Sequence, residues 1–204
     1  EISARYALNL AKACGSKLYI CFIAEKGMPK SGFEKAEEAM KRLFLDAEKM
    51  DIEVEGITET GEPVEEIGKI VRHEGINIVF ASTRREDIER RFYAGTVARN
   101  LSLRLPCSVA LVRVVHMGRV HPKDILIPLK ARIDHTKERA YFTGKMAQGF
   151  DSKVVVFHAA KPITKFFHGE IHLTPAQWEE RVSDDIKGFI NQIEKCGIRL
   201  EGRL

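Results

Sequence analysis

At 204 residues the chain is long enough for one large domain or two small ones, each able to bury a core of its own. With 44% hydrophobic and 30% charged residues it has a globular composition, and no apolar run approaches the roughly 20 residues a membrane helix needs. The 33 Lys+Arg against 29 Asp+Glu leave a net charge of +4, interleaved with acids along the helices, which argues against a nucleic-acid binder with its basic charge on one face.

In chain order, Ala4, Ala7, Leu8 and Ala11 fall on one face of a helix that stops at Gly15, and Leu18 to Ile23 is a continuous apolar strand. Ala36, Met40, Leu43, Ala47 and Met50 mark a second helix, followed by a strand from Glu53 to Thr58. Pro63 suits the first turn of a third helix that carries Val64, Ile67, Ile70 and Val71 and closes at Gly75. Strands from Ile76 to Ala81 and from Ser108 to Val114 enclose a polar loop, Ser82 to Tyr93, and a helix opened by Gly95-Thr96. Strands spaced by helices predict an α/β fold with parallel strands covered on both faces, so the two apolar strands Leu18 to Ile23 and Ile76 to Ala81 are expected to be buried.

The pattern then repeats. Ala11 to Ile20 matches Ala147 to Val156 as helix end, turn and strand, and Leu43 to Gly56 matches Phe189 to Gly202 with a Glu-Lys pair and a Glu-Gly pair in register. Two copies of one unit, 1–115 and 123–204, joined by a linker over 116–122, are the simplest reading. The second copy opens with a strand from Asp124 to Leu129.

Several residues have ordinary structural explanations. Cys14, Cys21, Cys107 and Cys196 show no C-x-x-C spacing and read as buried reduced thiols of a cytoplasmic protein. The start, Glu1-Ile2-Ser3-Ala4-Arg5, has no signal-peptide core. His168-Gly169-Glu170-Ile171-His172 gathers two imidazoles and a carboxylate, but it fits neither H-E-x-x-H nor the deaminase pattern, since Pro106-Cys107 lacks a second cysteine; no metal site is expected. Thr174-Pro175-Ala176-Gln177 reads as a capping box opening a helix, with Trp178 packing over Phe166-Phe167. His73 and His158 read as surface or edge histidines. No nucleophile elbow or Ser/His/Asp set is present, so the residues make no case for catalysis.

Gly61-Glu62-Pro63-Val64-Glu65-Glu66-Ile67, the strand to Ala81, the Gly95-Thr96 pair and Pro106-Cys107-Ser108-Val109 together resemble the universal stress protein family. The resemblance implies two Rossmann-like units of nucleotide-binding type, each with five parallel strands in the order 3-2-1-4-5 and the first strand central. That strand has no counterpart before Glu1, and the second copy reaches Leu204 in the strand equivalent to Glu53 to Thr58. Each unit is therefore expected to be incomplete, with the native ends outside the sequence, or with another chain or a swapped strand filling the gap. Leu18 to Ile23 and Ile76 to Ala81 are expected to flank the resulting slot.

The family's phosphate loop reads Gly-x-x-Gly, nine residues, then Gly-Ser/Thr. Gly95-Thr96 stands for the final pair, but the upstream glycines are absent. Counting back from Gly95 puts Ser82 and Arg85 at their positions; anchoring on the strand end puts Ala81 and Arg84 there. The resemblance thus implies Ala81, Ser82, Arg84, Arg85, Gly95 and Thr96 as nucleotide-binding candidates. An arginine in place of the second glycine obstructs close backbone approach to phosphate, although its guanidinium can hold an anion itself. Glu86, Asp87 and Glu89 would equally satisfy Arg84, Arg85, Arg90 and Arg91 as a solvated ion-pair loop. In the second copy Lys130 falls where the family carries an acid toward the base or ribose, with Asp134 as a substitute if the loop is longer.

The expected function is that of a universal stress protein-like regulatory or binding protein with a degenerate nucleotide site. Two alternatives stay open: an ATP-binding switch using the loop from Ser82 to Thr96, with or without slow hydrolysis, and a structural dimerisation module with no ligand. The implied partners are an adenine nucleotide and a second copy or second unit meeting the strand Ser108 to Val114, which has no proline or acid to discourage edge pairing.

Overall fold

The computed structural model describes residues 2–83, 97–113, 121–158, 164–165, 169–170, 182–198 and 200–203. These form two compact units, Glu1–Val120 and His121–Leu204.

Unit 1 begins with α1 (Ile2–Cys14), which buries Ala7, Leu8, Leu10 and Ala11. The helix reverses at Gly15, whose φ of 60° suits a residue without Cβ. Then follow β1 (Leu18–Ala24), α2 (Lys30–Lys49) and β2 (Val54–Thr60). The two strands pair in parallel, Leu18 opposite Val54 and Ile20 opposite Gly56. Leu18 and Val54 pack with Leu8, Leu43, Ala47 and Ile52, and a Cβ on Gly56 would meet the Phe44 ring at 3.0 Å. One face of the pair therefore belongs to α1 and α2.

The other face takes α3 (Pro63–Glu74). Its N-cap Glu62 accepts a hydrogen bond from the Glu65 N–H at 2.8 Å, and Gly75 ends it at φ 64°. Tyr19 alternates with Leu18 and Ile20 along β1 and so points to this side, where it bonds Glu74. A second parallel pair, β3 (Ile78–Thr83) and β4 (Ser108–Arg113), encloses α4 (Val97–Arg104), which buries Ala98 and Leu101 and packs against α3.

Among the described residues β1 pairs only with β2 and β3 only with β4, two parallel ladders that α1 touches at β1, β3 and β4, which fits the expected slot between Leu18 to Ile23 and Ile76 to Ala81. One expectation is corrected here, because the apolar strands are not fully buried: β1 buries only Ile20 and Ala24, and Ile78 to Ala81 are half-buried. Apolar composition makes two-sided burial favourable, but a strand with one edge partner gains only part of it.

Unit 2 shows the contrast. It comprises β5 (Asp124–Leu129), α5 (Thr136–Phe150), β6 (Lys153–His158), a short antiparallel pair β7 (Thr164–Lys165) and β8 (Gly169–Glu170), α6 (Asp184–Glu194) and β9 (Leu200–Arg203). The parallel sheet runs β5-β6-β9. Flanked on both edges, β6 buries Val154 and Val156 completely, against Ala140, Ala147, Ile186, Phe189 and Ile193. Gly144 lets α5 come close to the end of α6, since a Cβ there would stand 2.9 Å from Cys196 Sγ.

The internal repeat holds at the level of register. Leu18 pairs with Val54 and Val154 with Leu200, the same positions in both copies. Ser16 N–H closes on Ala11 O at 2.9 Å, and Ser152 N–H on Ala147 O at 2.8 Å. Lys17 bridges Glu55 at 2.7 Å, and Lys153 bridges the equivalent Glu201 at 3.2 Å. Lys153 also meets Asp124 on β5 at 3.4 Å.

One local expectation also changes. The cysteines are free, but none is buried: Cys21 is exposed and the others half-buried, because Cys21 sits on the β1 face opposite Ile20. Partial desolvation, then the charge of Glu59, pushes the Cys21 thiol up to about 11. The helix carrying Phe189 starts at Asp184 behind the N-cap Ser183; the start expected at Thr174, with Trp178, Phe166 and Phe167, lies outside the described residues. Among the described residues no helix is long and apolar enough to cross a membrane.

Candidate functional site

In parallel α/β units ligands gather beyond the C-terminal ends of the strands. In unit 1 that end of β3 carries Ala81 opposite Leu111 and Ser82 opposite Val112. Ala81 is half-buried and Ser82 exposed. Both lie inside the strand, because the ladder with β4 continues to Thr83 opposite Arg113, two residues past the expected strand end at Ala81. Arg84, Arg85, Gly95 and Thr96 lie outside the described residues, as do Glu86, Asp87, Glu89, Arg90 and Arg91.

What is described is the helix those residues lead into. α4 begins at Val97, directly after Gly95-Thr96 in the chain. Because β3 and β4 are parallel, the helix joining them runs back against them, so its N-terminus stands on the side of the β3 C-terminus. Its first turn contains no acid, leaving the positive end of the helix dipole without a neutralising side chain of its own. Ala98 and Leu101 fix the helix by burial.

Two hollows lie near the N-terminus of α3. One, of about 560 Å³, is lined by Lys26, Thr60, Gly61, Glu62, Glu65 and Glu66, at the ends of β1 and β2. Its acids are partly neutralised by Lys69, 2.9 Å from Glu66 and 3.2 Å from Glu65. The hydrogen bonds that Lys69 donates to Glu66, then to Glu65, hold it above its ordinary pKa. This carboxylate-rich wall does not suit a phosphate. The other hollow, about 540 Å³, runs along α3 and carries Arg72 and Arg104 beside Glu62 and Glu65.

In unit 2 the corresponding loop follows β5. Lys130, Arg132 and Asp134 are exposed there and Ile133 is buried. The loop is tied down from α6: Asp185 Oδ2 accepts the Ile133 N–H at 3.0 Å, and Ser183 Oγ donates to Ala131 O. Thr136 Oγ1 donates to Ile133 O at 2.9 Å, and His158 Nδ1 stands 3.0 Å from Leu129 O, which places the ring proton on Nδ1. His158 thus sits at the end of β6, as expected, and bonds the last residue of β5, whereas His73 is an exposed partner of Glu74. Sequence reasoning missed Ser183 and Asp185. The run Ser183-Asp184-Asp185 ahead of Ile186 is a helix-start signal, but nothing local shows that its polar atoms reach back 52 residues. Unlike α4, α6 has acids in its own first turn. Of the metal candidate, Gly169 and Glu170 form β8, while His168, Ile171 and His172 lie outside the described residues.

The sequence profile of the universal stress protein family matches residues 2–113. Among solved structures, a universal stress protein from Archaeoglobus fulgidus DSM 4304 is similar at a TM-score of 0.54 and 14% identity, over 98% of this chain and 70% of that one. A functionally unknown protein from Pseudomonas aeruginosa PAO1 is similar at a TM-score of 0.54 and 14% identity, over 97% of this chain and 67% of that one. At these identities the likeness speaks to the fold. No curated protein matches the sequence.

Proposed function

The chain belongs to the universal stress protein family, and from that premise we propose that it is a cytoplasmic regulatory binding protein of the stress response whose unit 1 nucleotide site is degenerate. One observation carries the reading: Ala81 and Ser82 are strand residues paired to β4, and the next candidates in sequence are Arg84 and Arg85, so no glycine stands at the start of the loop to admit a phosphate against the backbone. The order 3-2-1-4-5, two tandem units over 1–115 and 123–204, and absence of catalysis are parts of the same proposal. Lys130 and Asp134, both exposed, supply no buried acid for a base or ribose in unit 2.

A second reading is favoured by α4. Its acid-free first turn after Gly95-Thr96 suits an anion, so an ATP-binding switch would use Gly95, Thr96 and the guanidinium of Arg84 or Arg85 for the phosphates. A structural dimerisation role is favoured by β4, where Leu111 is 44% exposed on a strand with one partner among the described residues.

Calorimetric titration of the 204-residue chain with ATP, with and without magnesium, separates these readings. A degenerate site gives no saturable heat at concentrations of about 100 μM. Micromolar affinity that disappears on Gly95→Val establishes the switch instead.

A further inference from the structure

The interior of α3 holds a glycine that neither the helix nor its packing asks for. Glycine inside a helix is less favourable than alanine, and a Cβ at Gly68 would stand 3.7 Å from both terminal nitrogens of Arg72 and 3.8 Å from Leu105 Cδ2, which is ordinary van der Waals contact. Alanine would therefore fit. The effect of the glycine is to leave bare the floor of the hollow of about 540 Å³ that runs along α3.

The lining of that hollow is divided by charge. Val64, Gly68 and Leu105 make its apolar floor, Glu62 and Glu65 lie at the N-terminus of α3, and Arg72 and Arg104 come from the last turns of α3 and α4. The Arg72 guanidinium lies over Gly68, and Arg104 adjoins Leu105 in the chain. Both arginines are exposed, and among the described residues neither forms an ion pair: Glu65 is taken by Lys69 at 3.2 Å and Glu62 by the Glu65 N–H at 2.8 Å. The dipole of each helix accounts for a cation at its C-terminus, but not for the bare floor beside the two of them. Each carboxylate can still accept from further donors.

We propose that this groove binds the free C-terminal end of a peptide. Arg72 and Arg104 fork its carboxylate, its last side chain, an apolar one, fills the space over Gly68 against Val64 and Leu105, and a lysine or arginine three residues earlier meets Glu62 and Glu65. Along α3, Glu65 and Arg72 stand about 10 Å apart, which is the span of about three extended residues. A simple anion would use the arginines and leave the floor and the acids idle. A chain end with a carboxylate, an apolar side chain and a cation at that spacing complements all three parts.

The test uses the 204-residue chain and a fluorescein-labelled peptide, Gly-Gly-Lys-Ala-Ala-Leu with a free carboxylate, read by fluorescence anisotropy. This peptide saturates, and either amidating its C-terminus or exchanging its lysine and leucine weakens binding at least about tenfold. In the protein, Arg72→Gln and Arg104→Gln each have an effect of that size, and Gly68→Leu, which fills the floor, abolishes binding, whereas Lys41→Gln, the same loss of charge on α2, leaves it unchanged. The arginine side chains face water and leucine is a good helix former, so the variants keep the fold, which amide exchange in α3 verifies. The proposal is overturned by no saturation up to about millimolar peptide, by equal affinity of the acid and amide peptides or of the exchanged sequence, or by binding that survives Arg72→Gln and Arg104→Gln together.

Discussion

Phe189→Ala is the sharpest test of where unit 2 keeps its stability. Phe189 is 1% exposed and packs against Val154, Val156 and Ile186. Two further neighbours, Ala140 and Ala147, are too short to move into the space the ring leaves. Removing the ring therefore forfeits its transfer free energy and leaves most of a cavity, placing the cost in the upper part of the range of about 3–5 kcal/mol. The equivalent residue of unit 1, Leu43, is only half-buried, so Leu43→Ala should cost about 1–2 kcal/mol. Native-state hydrogen exchange read by mass spectrometry suits the comparison, because it follows α6 and α2 separately and does not require the units to unfold together. Opening of α6 should become about a hundredfold or more easier in Phe189→Ala, with α2 unaffected. Equal losses for the two substitutions, or a loss below about 2 kcal/mol for Phe189→Ala, would refute the packing argument.

Association through β4 predicts that the chain sediments as a dimer at tens of micromolar and that Leu111→Lys makes it a monomer with unchanged circular dichroism; equal association of variant and parent removes β4 as the contact. Acid should weaken unit 1 through Glu74, whose carboxyl is held below its usual range by the hydrogen bond to His73 and then by that to Tyr19. A depressed folded pKa means the contribution is complete above the ordinary glutamate value of about 4.3 and is lost as pH falls through the lower folded value. Exchange protection in β1 and α3 should then fall over that window in the parent and show no such step in Glu74→Gln; identical acid profiles would exclude Glu74 as the cause.

The repeat was the most legible feature of the sequence, because it rests on local signals that each copy must satisfy. The turns at Gly15 and Asp151 both take positive φ after a helix, and the strands that follow pair in the same register. Helix starts were legible where the cap is local, as at Glu62-Pro63. Burial was less so. The run Leu18 to Ile23 reads as a fully buried strand, yet its burial depends on what lies along its second edge, a property of the assembly rather than of those residues. The unit 2 loop was illegible for a related reason: Lys130 and Asp134 carry the charges that attract notice, whereas the atoms that hold the loop are Asp185 Oδ2 and Ser183 Oγ, more than a third of the unit away along the chain.

That tie makes the β5 loop and the first turn of α6 a single moving part. Ser183 both caps the helix, accepting from Ile186 N–H, and holds Ala131 O, while Asp185 holds the amide of Ile133, a residue that belongs to the core itself. Lifting the loop would take the partners from Ser183 and Asp185 in the first turn of α6 and draw Ile133 out of the core, so displacement at the strand ends is transmitted to the buried layer like the throw of a latch. It also sets an order of assembly: the loop can take its final shape only after α6 has closed a contact spanning 52 residues, making it a late element of folding in which chain entropy opposes early closure.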